Sequence, residues 1–293
     1  MTDNIKQVRI VEVGPRDGLQ NISSIISTEK KVEYINRLTK SGLPEIEVTS
    51  FVSPKWVPQL ADSFEVSNSI TKDPSITYTA LIPNQRGLDR AIDAGYTSIA
   101  VLTATSETFS QKNTNCSISD GLKVLKSMVP SWSKSSLRVR GYISTVWHCP
   151  YEGAINAKSV LTIIDQLLDI GISEISLGDT IGKATPDEIK RTLETILYRF
   201  DASHFAFHMH DTFGHAEENI RVGLEMGITT YDSSAGGLGG CPYAPGASGN
   251  VATESVISIC ESLGIHTGVD KNLLKSAGDY MIGVIDQGVL ERA

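Results

Sequence analysis

The run GISEISLGDTIGKATPDE, Gly171 to Glu188, contains one complete unit of the pattern that decides the fold. Gly171 follows Ile170 at the end of an apolar helical stretch, where glycine takes the left-handed conformation cheaply and stops a helix. Glu174–Leu177 then reads as a short strand, and Gly178-Asp179-Thr180 gathers polar residues at its end. Thr185-Pro186-Asp187-Glu188 supplies an N-cap, a first-turn proline and first-turn acids for the following helix.

The same step recurs along the chain. Strand-like runs occur at Val8–Val13, Glu45–Thr49, Ile76–Leu81, Ser98–Leu102, Arg138–Thr145, Phe205–Met209 and Thr229–Ser233. Between them lie helical patterns at Thr28–Lys40, Asn84–Ala94, Ser119–Met128, Ala154–Asp169, Pro186–Phe200 and Ala216–Met226. Gly42, Gly95 and Gly227 close helices as Gly171 does. Alternation at roughly thirty residues per step predicts a closed parallel (β/α)8 TIM barrel. An open doubly wound sheet is the competing arrangement, but no GxGxxG follows the first strand.

With 293 residues, 40% of them hydrophobic and 20% charged, the chain has material for one large core. The expectation is a single barrel domain over 1–293 with a C-terminal helical extension. A net charge of −8 disfavours a nucleic-acid partner, which needs a basic face. Cys116, Cys149, Cys241 and Cys260 are scattered without CxxC spacing, which suits a reducing compartment. The first residues lack an apolar signal core, and no apolar run approaches the ~18 residues of a membrane span. A cytoplasmic protein without a membrane partner is expected.

Barrel enzymes gather their catalytic groups at the C-terminal strand ends. Here those ends carry Gly14-Pro15-Arg16-Asp17-Gly18, Glu47-Val48-Thr49-Ser50, Gly178-Asp179-Thr180 and His208-Met209-His210-Asp211. Two residues apart on a strand, His208 and His210 share a face. With Asp17 on the same rim they make a divalent metal site; paired core histidines are the alternative. A mixed oxygen and nitrogen set suits Mg²⁺ or Mn²⁺, although zinc also accepts two histidines and a carboxylate. Arg16 can stabilise a developing oxyanion or pair with Glu47, and both can hold together. Glu47 and Asp179 either orient the site or serve as structural acids. The glycine-rich segment Gly236–Tyr243 either carries the Cys241 thiol over the barrel mouth or is a connector with an inert cysteine.

Gly14-Pro-Arg-Asp-Gly-Leu-Gln-Asn21, Thr49-Ser-Phe-Val-Ser-Pro-Lys-Trp-Val-Pro58, Ser176-Leu-Gly-Asp-Thr180, His208-Met-His-Asp211 and Gly237-Leu-Gly-Gly-Cys-Pro-Tyr243 resemble the 3-hydroxy-3-methylglutaryl-CoA lyase family. The similarity runs from about Val8 to Gly268, and the cysteine loop and Ser-Phe-Val-Ser-Pro-Lys-Trp are its most specific parts. It implies metal ligation by Asp17, His208, His210 and Asn250, with Arg16 and Cys241 catalytic and Glu47 and Asp179 supporting. It also implies retro-Claisen cleavage of an acyl-CoA thioester to acetyl-CoA and acetoacetate by a homo-oligomer, a dimer. Asp17 and His208 are both candidate bases, and Cys241 is the candidate acid. A related 3-hydroxy-3-acylglutaryl-CoA lyase and a Claisen-type synthase using acetyl-CoA and a 2-oxo acid are the alternatives. Two departures stand out. Trp147-His148 replaces the family's Leu-Gly before Cys149-Pro150-Tyr151, where it either reshapes the acyl pocket or packs beneath a helix; Ser234-Ala235-Gly236 is a milder change.

Overall fold

Alternation within each strand sends apolar side chains one way and polar ones the other, and the protein uses both faces. The computed structural model describes residues 5–239 and 249–290. Barrel strands are β1 (Arg9–Glu12), β2 (Glu45–Ser50), β3 (Thr77–Leu81), β4 (Ser98–Ala104) and β5 (Arg138–Ser144). A short hairpin follows, β6 (His148–Cys149) with β7 (Gly153–Ala154). The barrel resumes with β8 (Glu174–Asp179), β9 (Phe205–Met209) and β10 (Thr230–Ser233), and β10 pairs with β1 to close a parallel ring. The helices are α1 (Thr28–Thr39), α2 (Ser63–Ser69), α3 (Gln85–Asp93), α4 (Glu107–Thr114), α5 (Ile118–Lys134), α6 (Ala157–Asp169), α7 (Pro186–Leu197), α8 (Ala216–Glu225), α9 (Thr253–Ser262) and α10 (Lys271–Leu290). This is the expected (β/α)8 barrel.

The four glycine stops, at 42, 95, 171 and 227, all take φ between +76° and +93°. Thr185 and Glu188 form a reciprocal capping box at the start of α7. Several helix boundaries differ from expectation; α7, for one, ends at Leu197 and not at Phe200. α5 does not end before Pro130 but runs on to Lys134, because Leu125, Met128 and Trp132 recur at helical spacing and bury one face. Residue 154 belongs to the hairpin, and α6 starts only at Ala157, where the Asn156 side chain accepts the Lys158 amide at 2.9 Å.

Outward-facing strand residues such as Ile46, Ile99, Ile175 and Phe207 join the large core between strands and helices. The inward faces carry many charged and polar residues beside a small apolar cluster of Leu81, Ala100 and Tyr142. At the floor, Arg9 and Arg138 each reach both Glu45 and Glu174. Two of these contacts, Arg9 with Glu174 and Arg138 with Glu45, join strands that are not sheet neighbours, so they cross the lumen. Above them Arg140, with no exposed surface, donates to Glu174 at 2.9 Å, the Tyr142 hydroxyl at 3.1 Å and Asp232 at 2.7 Å. Removing one partner of a buried ion pair strands the other charge, at a cost of about 3–5 kcal/mol. Arg140→Met is therefore expected to lower unfolding stability by about that amount in urea melts; a loss under about 1 kcal/mol would mean the column is not what fixes the barrel interior.

Candidate metal centre

Beyond β1 the chain makes one wide turn, Gly14–Gly18, in which the Val13 carbonyl accepts the amides of Arg16, Asp17 and Gly18 at 3.1, 2.7 and 3.2 Å. Such wide turns project side chains off the regular path and are frequent at functional sites. Gly14 is dictated by space: a Cβ there would lie within 2.5 Å of Glu12 Oε1 and closer still to the Tyr34 hydroxyl. Glu12 holds the turn from behind. Its buried carboxylate accepts the Gly14 amide, the Ala235 amide and the Thr253 hydroxyl, tying β1 to the segment after β10. Burial pushes its pKa up to about 7, against the lowering effect of those hydrogen bonds.

The turn delivers Arg16 and Asp17 to the barrel mouth. Arg16 is 6% exposed, pairs with both Glu47 and Asp17, and lies 5.3 Å over the Tyr142 ring. Glu47 also accepts the Tyr142 hydroxyl at 2.8 Å, so its carboxylate clamps Arg16. Asp17 Oδ1 accepts from Gln20 at 3.0 Å, and Oδ2 accepts from Asn250 Nδ2 at 2.8 Å. Burial would raise the Asp17 pKa, but Arg16, His208, His210 and the Asn250 hydrogen bond together hold it down to about 2. The group is an anion at neutral pH.

His208 Nε2 lies 3.7 Å from Asp17 Oδ2. The rings of His208 and His210 are 5.3 Å apart, and His210 bridges Asn250 through the backbone. Burial, with His208 nearby, lowers the His210 pKa to about 4, leaving the imidazole neutral and able to donate a lone pair. One ligand atom each from Asp17, His208 and His210 lies within 4.8 Å of the others. Among the described residues, Asn250 Oδ1 and the Nδ1 atoms of both His208 and His210 are buried without a hydrogen-bond partner. Buried acceptors are rarely left unsatisfied, so the donor set fits a cation: one carboxylate, two imidazoles and one amide oxygen.

Asp179 behaves differently. Its carboxylate accepts the amides of Lys183 and Ala184, closing the turn after β8, and burial pushes its pKa up to about 6. Cys241 lies outside the described residues.

Comparison with known proteins fixes the kinship. The HMGL-like family model matches residues 7–281. The chain belongs to this hydroxymethylglutaryl-CoA lyase family. A hydroxymethylglutaryl-CoA lyase of Bacillus subtilis is 48% identical over 276 residues, covering 94% of this chain and 92% of that protein. The crystal structure of the B. subtilis HMG-CoA lyase superposes with a TM-score of 0.94 at 47% identity, covering 96% of this chain and 94% of the other. An HMG-CoA lyase of Acinetobacter baumannii, solved with coenzyme A and 3-methylmalate, has a TM-score of 0.92 at 34% identity, covering 98% and 93%.

In this HMGL-like chain the Trp147-His148 departure packs beneath a helix. Trp147 is 3% exposed in the strand–helix core, edge-on to Phe207 at 5.9 Å. His148 Nε2 meets Glu188 of the α7 capping box at 3.1 Å. Composition and spacing missed Tyr142, Arg140, Asp232 and Glu12, which surround the site. The signal was present: Arg138, Arg140 and Tyr142 alternate on one strand face, where a helix-facing side would be apolar.

The raised Glu12 pKa makes a signed prediction. A carboxyl protonated more tightly when folded favours folding fully below its unfolded pKa, and that contribution is lost as pH rises through its folded pKa. Relative to Glu12→Gln, the wild type should lose stability between about pH 4.5 and 7, by on the order of 3 kcal/mol. Chemical denaturation of both proteins across that window measures it; a pH-independent difference would count against the buried Glu12 assignment.

Proposed function

We propose that this protein cleaves 3-hydroxy-3-methylglutaryl-CoA to acetyl-CoA and acetoacetate, as a metal-dependent lyase. The observation that carries the proposal is the convergence of Asp17, His208, His210 and the unsatisfied Asn250 Oδ1 beside Arg16 at the barrel mouth. Family membership and the acyl-CoA chemistry named for its relatives support the same substrate class. A divalent cation held by these four residues, Mg²⁺ or Mn²⁺ in preference to Zn²⁺, supplies Lewis acidity that eases ionisation of the substrate's tertiary hydroxyl.

The protein's own groups carry the rest. Asp17 takes the hydroxyl proton, since His208, the other candidate base, would commit its one available lone pair to the cation. The electron pair of that O–H bond becomes the new carbonyl of acetoacetate as the adjacent C–C bond breaks. The bonding electrons pass to the acetyl-CoA fragment as an enolate, whose oxygen Arg16 stabilises from a position fixed by Glu47. Cys241, two residues along the chain from Gly239, protonates the enolate carbon. A thiol of ordinary pKa, about 8.5, holds its proton at neutral pH. Asp179 contributes by fixing the loop after β8.

Because Trp147 and His148 point into the packing under α7, they give no support for a reshaped acyl pocket. The proposal takes 1–293 as one catalytic domain in a cytoplasmic homodimer; among the described residues no helix is long and apolar enough to cross a membrane.

Chelation should abolish acetoacetate release, and added Mg²⁺ or Mn²⁺ should restore it. Cys241→Ala should lower turnover about 10²–10⁴-fold, the scale of a general acid, while leaving metal affinity unchanged. A coupled assay for acetoacetate with a parallel metal titration reads both. Metal-independent cleavage, or full turnover by Cys241→Ala, would remove the corresponding group from the mechanism.

A further inference from the structure

We infer that Asp232 is a positioning residue for the metal centre, fixing which nitrogen of His208 faces the cation. The inference rests on the metal-site proposal and adds to it a residue that touches neither metal nor substrate. Asp232 stands on β10 opposite His208 on β9, in register with it. Its side chain has no exposed surface. Oδ1 accepts from Arg140 Nη2 at 2.7 Å, and Oδ2 accepts from the Ser176 hydroxyl at 2.6 Å. With both oxygens anchored, from β5 and from β8, the carboxylate has no freedom to rotate. Its Oδ2 then sits 3.4 Å from His208 Nδ1.

A neutral imidazole has one donor nitrogen and one acceptor nitrogen, and the partner of one decides the role of the other. An anion carrying no proton, placed at Nδ1, admits only N–H there. The lone pair must then lie on Nε2, the nitrogen that faces Asp17 Oδ2 at 3.7 Å. The Tyr142 ring, edge-on to the imidazole at 5.5 Å and 82°, restricts its remaining rotation. Neither histidine's Nδ1 makes a regular hydrogen bond, but among the described residues no carboxylate pairs with His210 as Asp232 does with His208. The two histidines of the motif are therefore set up differently, and the difference originates on the neighbouring strand. A carboxylate behind a ligand histidine typically accounts for 10- to 100-fold in metal affinity, by orienting the ring and raising its basicity.

The competing role for Asp232 is that of a counter-ion to Arg140 alone. Mn²⁺ titrations of the metal-free protein, followed by calorimetry and by the Mn²⁺ electron paramagnetic resonance signal, separate the two. Asp232→Asn should weaken Mn²⁺ binding by about 10- to 100-fold. Glu174→Gln removes a different anion from Arg140 and should leave Mn²⁺ binding within about twofold of wild type. Equal Mn²⁺ affinity in wild type and Asp232→Asn, or an equal loss in both variants, would overturn the inference. Should Asp232→Asn fail to fold, ¹⁵N spectra of histidine-labelled wild type decide it: a proton on Nδ1 of His208 is expected, and a proton on Nε2 alone overturns it. A wild type that binds no Mn²⁺ defeats the metal-site proposal itself, an outcome distinguishable from the failure of Asp232.

Discussion

A guanidinium cut off from water must find an acceptor along every edge, and Arg140 imposes that demand near the middle of the barrel. It is met by Glu174 below, Tyr142 beside it and Asp232 above. From these the contacts continue to the rim: Tyr142 to Glu47, Glu47 to Arg16, Arg16 to Asp17, and Asp232 towards His208. Buried ion pairs add little net stability, because desolvation offsets their attraction. What the column provides is position. Each side chain at the mouth is held by one below it that cannot move without stranding a charge.

The architecture was legible because helix stops and strand runs are local. A glycine at 42, 95, 171 or 227 needs no knowledge of distant residues to end a helix. The hairpin at 148–154 and the extension of α5 through Pro130 were not legible, since both depend on packing that only the folded chain supplies. The site was legible in part for the same reason. Arg16-Asp17 and His208-Met209-His210 announce themselves by composition and spacing. Asn250 offers no such signal and came only from family resemblance; in the structure it earns its place through an unsatisfied oxygen. Asp232 was hidden because one acid in a short strand reads as any edge residue until its register with His208 is known.

The turn carrying Asp17 shows how tightly the backbone is committed at the rim. Gly14 leaves no space for a side chain between Tyr34 and Glu12, and a Cβ on Gly18 would touch Leu238 and Ser234 at 3.0 Å. Gly239, at φ +123°, approaches Asn250 so closely that a Cβ would lie 2.6 Å from its Nδ2. Close approach thus brings three stretches of chain, after β1, after β10 and before α9, onto one small volume. Glu12 ties the first two together and holds the third through Thr253.

The floor of the barrel has a bearing on how such a sequence can drift. Glu45 serves Arg9 and Arg138, and Glu174 serves those two and Arg140. A change at any of these five positions alters the cost of a change at the other four, so their substitutions are not independent. Exchanging the ionic floor for an apolar one would require several replacements at once, with intermediates that each bury an unpaired charge. Among relatives these positions should vary as a block or scarcely at all, while the helix-facing isoleucines and valines of the same strands trade places one at a time.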